Sequence, residues 1–152
     1  MFQMHRVFCA TSWELEAERG AFYDLVGEVN ETESMARGVL LVPVSLVNIR
    51  DKRPWQYTLD ENIRDCRYFL LALADGWGPP ERNFERDYRL ALACKSDPAL
   101  PMHDTAFVWQ TPSAGAAPPP GLPPPTSEFS TCDEFKTQVR ALLSRWTRAI
   151  DR

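Results

Sequence analysis

The chain is organised by Cys66 to Pro80, CRYFLLALADGWGPP, in which an apolar run from Tyr68 to Ala74 stops abruptly at Asp75-Gly76-Trp77-Gly78-Pro79-Pro80. A continuous apolar run of this length between turn residues reads as a strand buried on both faces, as at the centre of a parallel sheet covered by helices. In such sheets ligands bind beyond the carboxyl ends of the strands, so a site is expected at the glycine turn.

The flanking sequence supplies the rest of the layers. Arg6-Val7-Phe8-Cys9-Ala10 is a short β-prone run ending at Thr11-Ser12, and Thr11 with Glu14 three residues later makes a capping-box signature for a helix start. Leu15, Phe22, Leu25, Val26 and Val29 share one face at helical spacing, which predicts a helix over about residues 13–30, with Asn30 to Arg37 as polar loop or frayed helix. Val39 to Val47 reads as the second strand, and Pro43, which cannot donate a ladder hydrogen bond, places it at a sheet edge or at a bulge. A polar loop from Asn48 to Thr58 follows, in which Trp55 is expected to cover the core, and then a short helical segment from Leu59 to Asp65.

After Pro80, Asn83 can cap a helix in which Phe84, Tyr88, Ala91 and Leu92 share a face, ending before Asp97-Pro98. Thr105 to Gln110 is the fourth strand. The segment 111–127 is proline-rich, with Pro118-Pro119-Pro120 and Pro123-Pro124-Pro125, and reads as an extended, semi-rigid linker. Thr131 and Glu134 form a second capping box, and Phe135, Val139, Leu142, Leu143, Trp146 and Ile150 keep one apolar stripe. A helix over 131–151 is expected to dock on the sheet.

Strands alternating with helices imply an α/β fold, a three-layer flavodoxin-like parallel sheet with helices on both faces. With the Pro43 strand outside, the four main strands take the order 2-1-3-4. Winding reverses between the first and third strands, and a crevice opens beyond their ends. Ala10, Thr11, Ser12 and Trp13 line it from one loop, Asp75, Gly76, Trp77 and Gly78 from the other, and Glu85 enters from the third-strand side.

Composition limits the partners. At 152 residues there is room for one domain, expected over 1–152, and a net charge of -4 argues against a nucleic-acid groove, which needs concentrated positive charge. The Arg50-Asp51-Lys52-Arg53 cluster reads as solvated loop. No apolar stretch approaches the roughly 20 residues that span a bilayer. The N-terminus lacks the pattern of a signal peptide, so no membrane association is expected and a cytoplasmic location is the default. Cys9, Cys66, Cys94 and Cys132 include no C-x-x-C pair, so buried reduced thiols and no metal site are expected.

Val7 to Arg19, VFCATSWELEAER, resembles the VFISSTF-x-DL-x-x-ER signature of a TIR-like domain family of unknown function that often precedes NTPase or repeat regions in signalling proteins. The resemblance continues through Ile63-Arg64-Asp65-Cys66-Arg67-Tyr68-Phe69, through Gly76-Trp77-Gly78, and through Phe84-Glu85-Arg86-Asp87-Tyr88-Arg89-Leu90-Ala91, similar to the family's "E-Y-x-x-A" helix. It covers about residues 5–110. Ala10 replaces a serine of the pattern, Arg67 stands at a usually acidic position, and the loop after Trp13 is one residue shorter.

TIR-like domains include enzymes that cleave the nicotinamide glycosidic bond of NAD. The resemblance therefore implies an NAD nucleosidase, with NAD as substrate and no further cofactor required. Glu85 would be the carboxylate that contacts the ribose and stabilises oxocarbenium-like charge. It also implies that Thr11, Ser12 and the amides around Gly76 and Gly78 hold phosphates and ribose of a nucleotide ligand, while Trp13 or Trp77 stacks on a planar base. Two alternatives stay open: a non-catalytic interaction module acting by self-assembly with homotypic TIR-like partners, and a nucleoside deoxyribosyltransferase-like enzyme.

Overall fold

A computed structural model of the chain describes residues 1–45, 55–74, 76–78, 83–111 and 121–150, without the side chains of 55–58. The expectations attached to Leu46 and Val47, to Arg50 through Arg53, to the Trp55 side chain, to Asp75 and to much of the proline-rich segment lie outside the described residues.

In chain order the elements are β1 (Gln3–Thr11), α1 (Glu16–Val29), β2 (Val39–Val44), α2 (Trp55–Arg64), β3 (Tyr68–Leu73), α3 (Phe84–Lys95), β4 (Asp104–Gln110), β5 (Ser127–Phe129) and α4 (Cys132–Ala149). All pairings are parallel, and the strand order is β2-β1-β3-β4-β5. This is the flavodoxin-like order, with its reversal of winding between β1 and β3.

Alternation along the strands builds two cores. Val7, Cys9, Tyr68, Leu70, Ala72, Ala106 and Val108 face the layer of α1 and α4. Phe8, Ala10, Phe69, Leu71, Leu73, Phe107 and Trp109 face the layer of α2 and α3. Every residue of β3 is buried, which is why its sequence shows no polar alternation. Removing one such leucine side chain costs about 2–5 kcal/mol, and because successive residues face opposite layers, such losses in this strand fall on both.

The edge position of β2 is as Pro43 requires, since its one neighbour is β1. Residues 39, 41 and 43 turn their backbone groups outward. At Leu41 both are satisfied by buried Asn30, whose Oδ1 accepts from the Leu41 amide and whose Nδ2 donates to its carbonyl, each at 2.9 Å. Asn30 reaches this position because the segment after α1 is not loop: a π-helical turn (Asn30–Ser34) and a 3-10 turn (Met35–Arg37) continue it. Gly38, at φ 75°, then reverses the chain in a conformation that favours glycine.

Several expectations need correction. The sheet has a fifth strand, β5, which takes Ser127 from the proline-rich linker; its Phe129 is buried while Ser127 and Glu128 are not. β1 starts at Gln3, because pairing with Val39 of β2 extends it, and α2 begins at Trp55 rather than Leu59. The capping box at Thr11 does not form. Thr11 is still in the strand opposite Ala72, a 3-10 turn (Trp13–Leu15) precedes α1, and no side chain caps that turn. In α3 the buried face is Phe84, Asp87, Ala91 and Cys94, and Leu92 is exposed.

The two remaining caps form as read. The Asn83 side chain accepts from the Glu85 amide at 2.8 Å, and that of Thr131 accepts from the Glu134 amide at 3.1 Å. α4 buries its whole predicted stripe, and Trp146 stacks on Tyr68 at 4.5 Å with rings 9° apart.

Candidate functional site

The site is built from the carboxyl ends of β1 and β3. The Ser12 amide donates to the Ala72 carbonyl at 3.1 Å, and the Ala74 amide donates to the Ser12 hydroxyl at 3.2 Å. Ser12 is 5% exposed, so its hydroxyl is part of the seam that fixes the two turns side by side. From this seam Trp13 and Glu14 rise on one side and the Gly76-Trp77-Gly78 turn on the other.

Between them lies a cleft of about 410 Å³, lined by Ser12, Trp13, Glu14, Gly76, Trp77, Gly78 and Phe84. That volume falls in the range of small-ligand sites. Gly78 has φ 94°, which lets the chain turn away from the cleft at a position where a side chain would be strained.

Trp77 is held from three directions. Its carbonyl accepts from the Phe84 amide at 2.7 Å, its indole N–H donates to the Gly121 carbonyl at 3.3 Å, and its ring lies 6.1 Å from that of Tyr88. Tyr88 in turn meets Phe107 edge-on at 6.4 Å, and burial pushes its phenol pKa up, so it stays neutral behind the cleft. Trp13 is 70% exposed and adds little to the core.

Of the residues singled out from sequence, Ser12, Trp13, Gly76, Trp77 and Gly78 meet at the cleft. Ala10 is buried in the core and Thr11 is the last residue of β1, and neither is in the lining. Glu85 follows Phe84 at the start of α3 but is not in the lining either; its Oε1 lies 3.6 Å from Nε of Arg89, one turn along the helix. Sequence reading missed Glu14 and Phe84. In the sequence Glu14 has an ordinary place in a capping box and Phe84 on an apolar helix face, yet in the structure both line the cleft with the turn residues.

Among the described residues the lining therefore carries three aromatic rings, one carboxylate and no Lys or Arg. The thiols offer no nucleophile there: burial pushes Cys66 up to about 12 and raises Cys9 and Cys94 as well. Among the described residues no group of three acidic, cysteine or histidine side chains is placed to hold a metal, and no helix is long and apolar enough to cross a membrane.

No family model matches the chain, and no curated protein does. Among solved structures it is similar to the RPS4 and RRS1 TIR domain heterodimer, at 13% identity and a TM-score of 0.47, over 94% of this chain and 97% of that one. Similarity at this level assigns no residue a role.

Proposed function

We propose that this chain is a TIR-like domain that binds a nucleotide of the NAD type in the cleft between the β1 and β3 turns and cleaves its nicotinamide glycosidic bond. The observation that carries the reading is the meeting of Ser12, Trp13 and the Gly76-Trp77-Gly78 turn around one ligand-sized cleft at the point where the sheet reverses its winding. Glu85 is the carboxylate of this reading. To act it must leave Arg89 and turn toward Phe84, and an exposed pair one helical turn apart holds it by only about 0.3–0.5 kcal/mol. Once there it would oppose the positive charge that develops on the ribose as nicotinamide departs.

The position of Glu85 also favours a second reading, a non-catalytic module that acts by homotypic assembly, since its carboxylate is engaged along its own helix. One experiment separates the two. Purified protein, concentrated or crowded so that it assembles, is incubated with NAD and free nicotinamide is measured. Release that is abolished by Glu85→Ala, with the circular dichroism spectrum unchanged, is the expected result. Absence of release from assembled protein favours the module, and release that survives Glu85→Ala removes Glu85 from the chemistry.

A further inference from the structure

The described part of the proline-rich segment, residues 121–126, is tied down at both ends. At its start the Gly121 carbonyl accepts from the Trp77 indole N–H at 3.3 Å. At its end the Thr126 amide donates to the Phe107 carbonyl at 2.7 Å, and the Thr126 hydroxyl accepts from the Phe107 amide at 3.1 Å. Between them Leu122 packs, half-buried, on the same core cluster as Trp77 and Tyr88. Phe107 meets Tyr88 edge-on and Tyr88 meets Trp77, so the contacts close into a circuit that runs from Trp77 through this segment to Phe107, Tyr88 and back.

The segment is also stiff. Pro123, Pro124 and Pro125 stand between the two ties, and their rings fix φ near about −65° and remove three N–H donors that could pair elsewhere. Proline runs are extended, semi-rigid spacers, so a displacement at Thr126 is carried to Gly121 instead of being absorbed on the way. Gly121 has φ 91°, and a Cβ there would stand 3.9 Å from the Trp77 indole nitrogen, so its carbonyl is aimed at Trp77 by a backbone conformation that favours glycine.

We propose that residues 121–126 form a strap that positions Trp77 and through it sets the affinity of the cleft for its ligand. Gly121 makes the contact, Leu122 seats the strap on the core, and Thr126 anchors its far end. All three are positioning residues, because Trp77 lines the cleft and they do not. The effect on affinity rests on the cleft being the ligand site of the proposed function, whereas the hold on Trp77 does not. The coupling is reciprocal: a ligand that binds more tightly with Trp77 in its strapped position stabilises the strap by the same factor.

The test reads solvent exchange of the Trp77 indole proton in the full, isotope-labelled chain by nuclear magnetic resonance, and NAD affinity by calorimetric titration. The variants are Leu122→Ser, Thr126→Val and, as a control in the other layer, Ser34→Ala, which removes the bond to Thr147. Both strap variants are expected to speed exchange of the indole proton about ten-fold and to weaken NAD by a similar factor, the scale of one lost hydrogen bond, while Ser34→Ala changes neither. Thr126→Val trades a hydroxyl for a methyl at the far end of the strap, so it carries the test if Leu122→Ser fails to fold, and it separates transmission through the prolines from a local effect. Exchange unchanged in Thr126→Val, or raised equally by Ser34→Ala, overturns the proposal. If exchange quickens while NAD binds the strap variants as it binds the wild type, the nucleotide reading stands and the proposal falls. If exchange quickens and the wild type binds no NAD, the hold of the strap on Trp77 stands and the nucleotide reading falls.

Discussion

The two helical layers on this sheet differ in where their polar links fall. In the α1 and α4 layer, polar cross-links clasp an apolar stripe. The Ser144 hydroxyl and Arg148 both donate to Glu33, at 2.8 and 3.0 Å, Arg140 reaches Glu28 at 3.1 Å, and Ser34 bonds Thr147 at 3.2 Å. Arg37 donates to the Arg148 carbonyl at 3.1 Å and so ties the end of α4 to the turn before β2. Trp146 adds its stack on Tyr68 and a 2.8 Å bond from its indole N–H to Asp104.

The α2 and α3 layer joins its apolar contact with polar links of its own: among the described residues, Arg86 pairs with Asp60 at 2.7 Å between the helices and Lys95 reaches Asp104 of β4 at 3.3 Å. The cleft lies on this second layer, through Phe84 and Trp77. The contrast teaches where each layer is anchored: α4 is clasped to the segment that follows α1, whereas the elements carrying the site are anchored at the glycine turn, through the Phe84 amide on the Trp77 carbonyl and the Trp77 indole on Gly121.

The largest expected effect separates the layers. Trp146→Ala should cost about 3–5 kcal/mol, read as a shift of the urea midpoint, and leave ligand affinity at the cleft unchanged. Phe84→Ala, of the same class, should lower both stability and affinity. Equal loss of affinity in the two variants would break the distinction between scaffold and site.

A smaller effect comes from acid. Glu33 has its pKa lowered by the Ser144 hydroxyl and then by Arg148 and Arg140. Asp104 is raised by burial, but bonds from Trp146, Lys95 and the Thr105 amide outweigh that and leave it lowered. For a depressed carboxylate the unfolded chain binds protons first, so its contribution is present above the unfolded value and is lost as pH falls through the folded one. His5 is lowered by burial and by Arg67, and its unfolded form likewise takes the proton first, so a loss begins as pH falls below its ordinary 6.5. Stability should thus decline in two stages on acidification, and His5→Gln should remove the upper one. By alternation with Val7 and Cys9, His5 lies on the α1 and α4 side with Glu33, so the loosening should appear first in amide exchange of that layer.

Much of this was legible in sequence where a local pattern coincides with its structural cause. The unbroken apolar run of β3, the missing donor at Pro43, and the caps at Asn83 and Thr131 each act over a few residues. What escaped depends on distant partners. β5 has three residues and one buried side chain, too little for periodicity; it is held by β4 and by side chains from α4, with Glu134 accepting from the Ser130 amide at 3.0 Å and Gln138 donating to the Glu128 carbonyl. The Thr11 box failed because pairing across to Ala72 outcompeted a local cap, and Ser12 was drawn to Ala74, 62 residues away. The face of α3 is turned by one step because Asp87, 1% exposed, lies on the buried side, where an acidic residue gives no apolar signal. At the site, the glycine turn and Trp13 were visible as breaks in pattern; Glu14 was hidden because an acid near a helix start already has an ordinary explanation.

The most direct measurement is an amide and indole N–H map of isotope-labelled protein by nuclear magnetic resonance as NAD is added. Shifts concentrated at residues 12–14, 76–78 and 84–85 and at the indole signals of Trp13 and Trp77, with α1 and α4 silent, are expected. Saturable shifts centred on α1 and α4, or no shift at the two turns at millimolar NAD, would contradict a ligand site at the meeting point of β1 and β3.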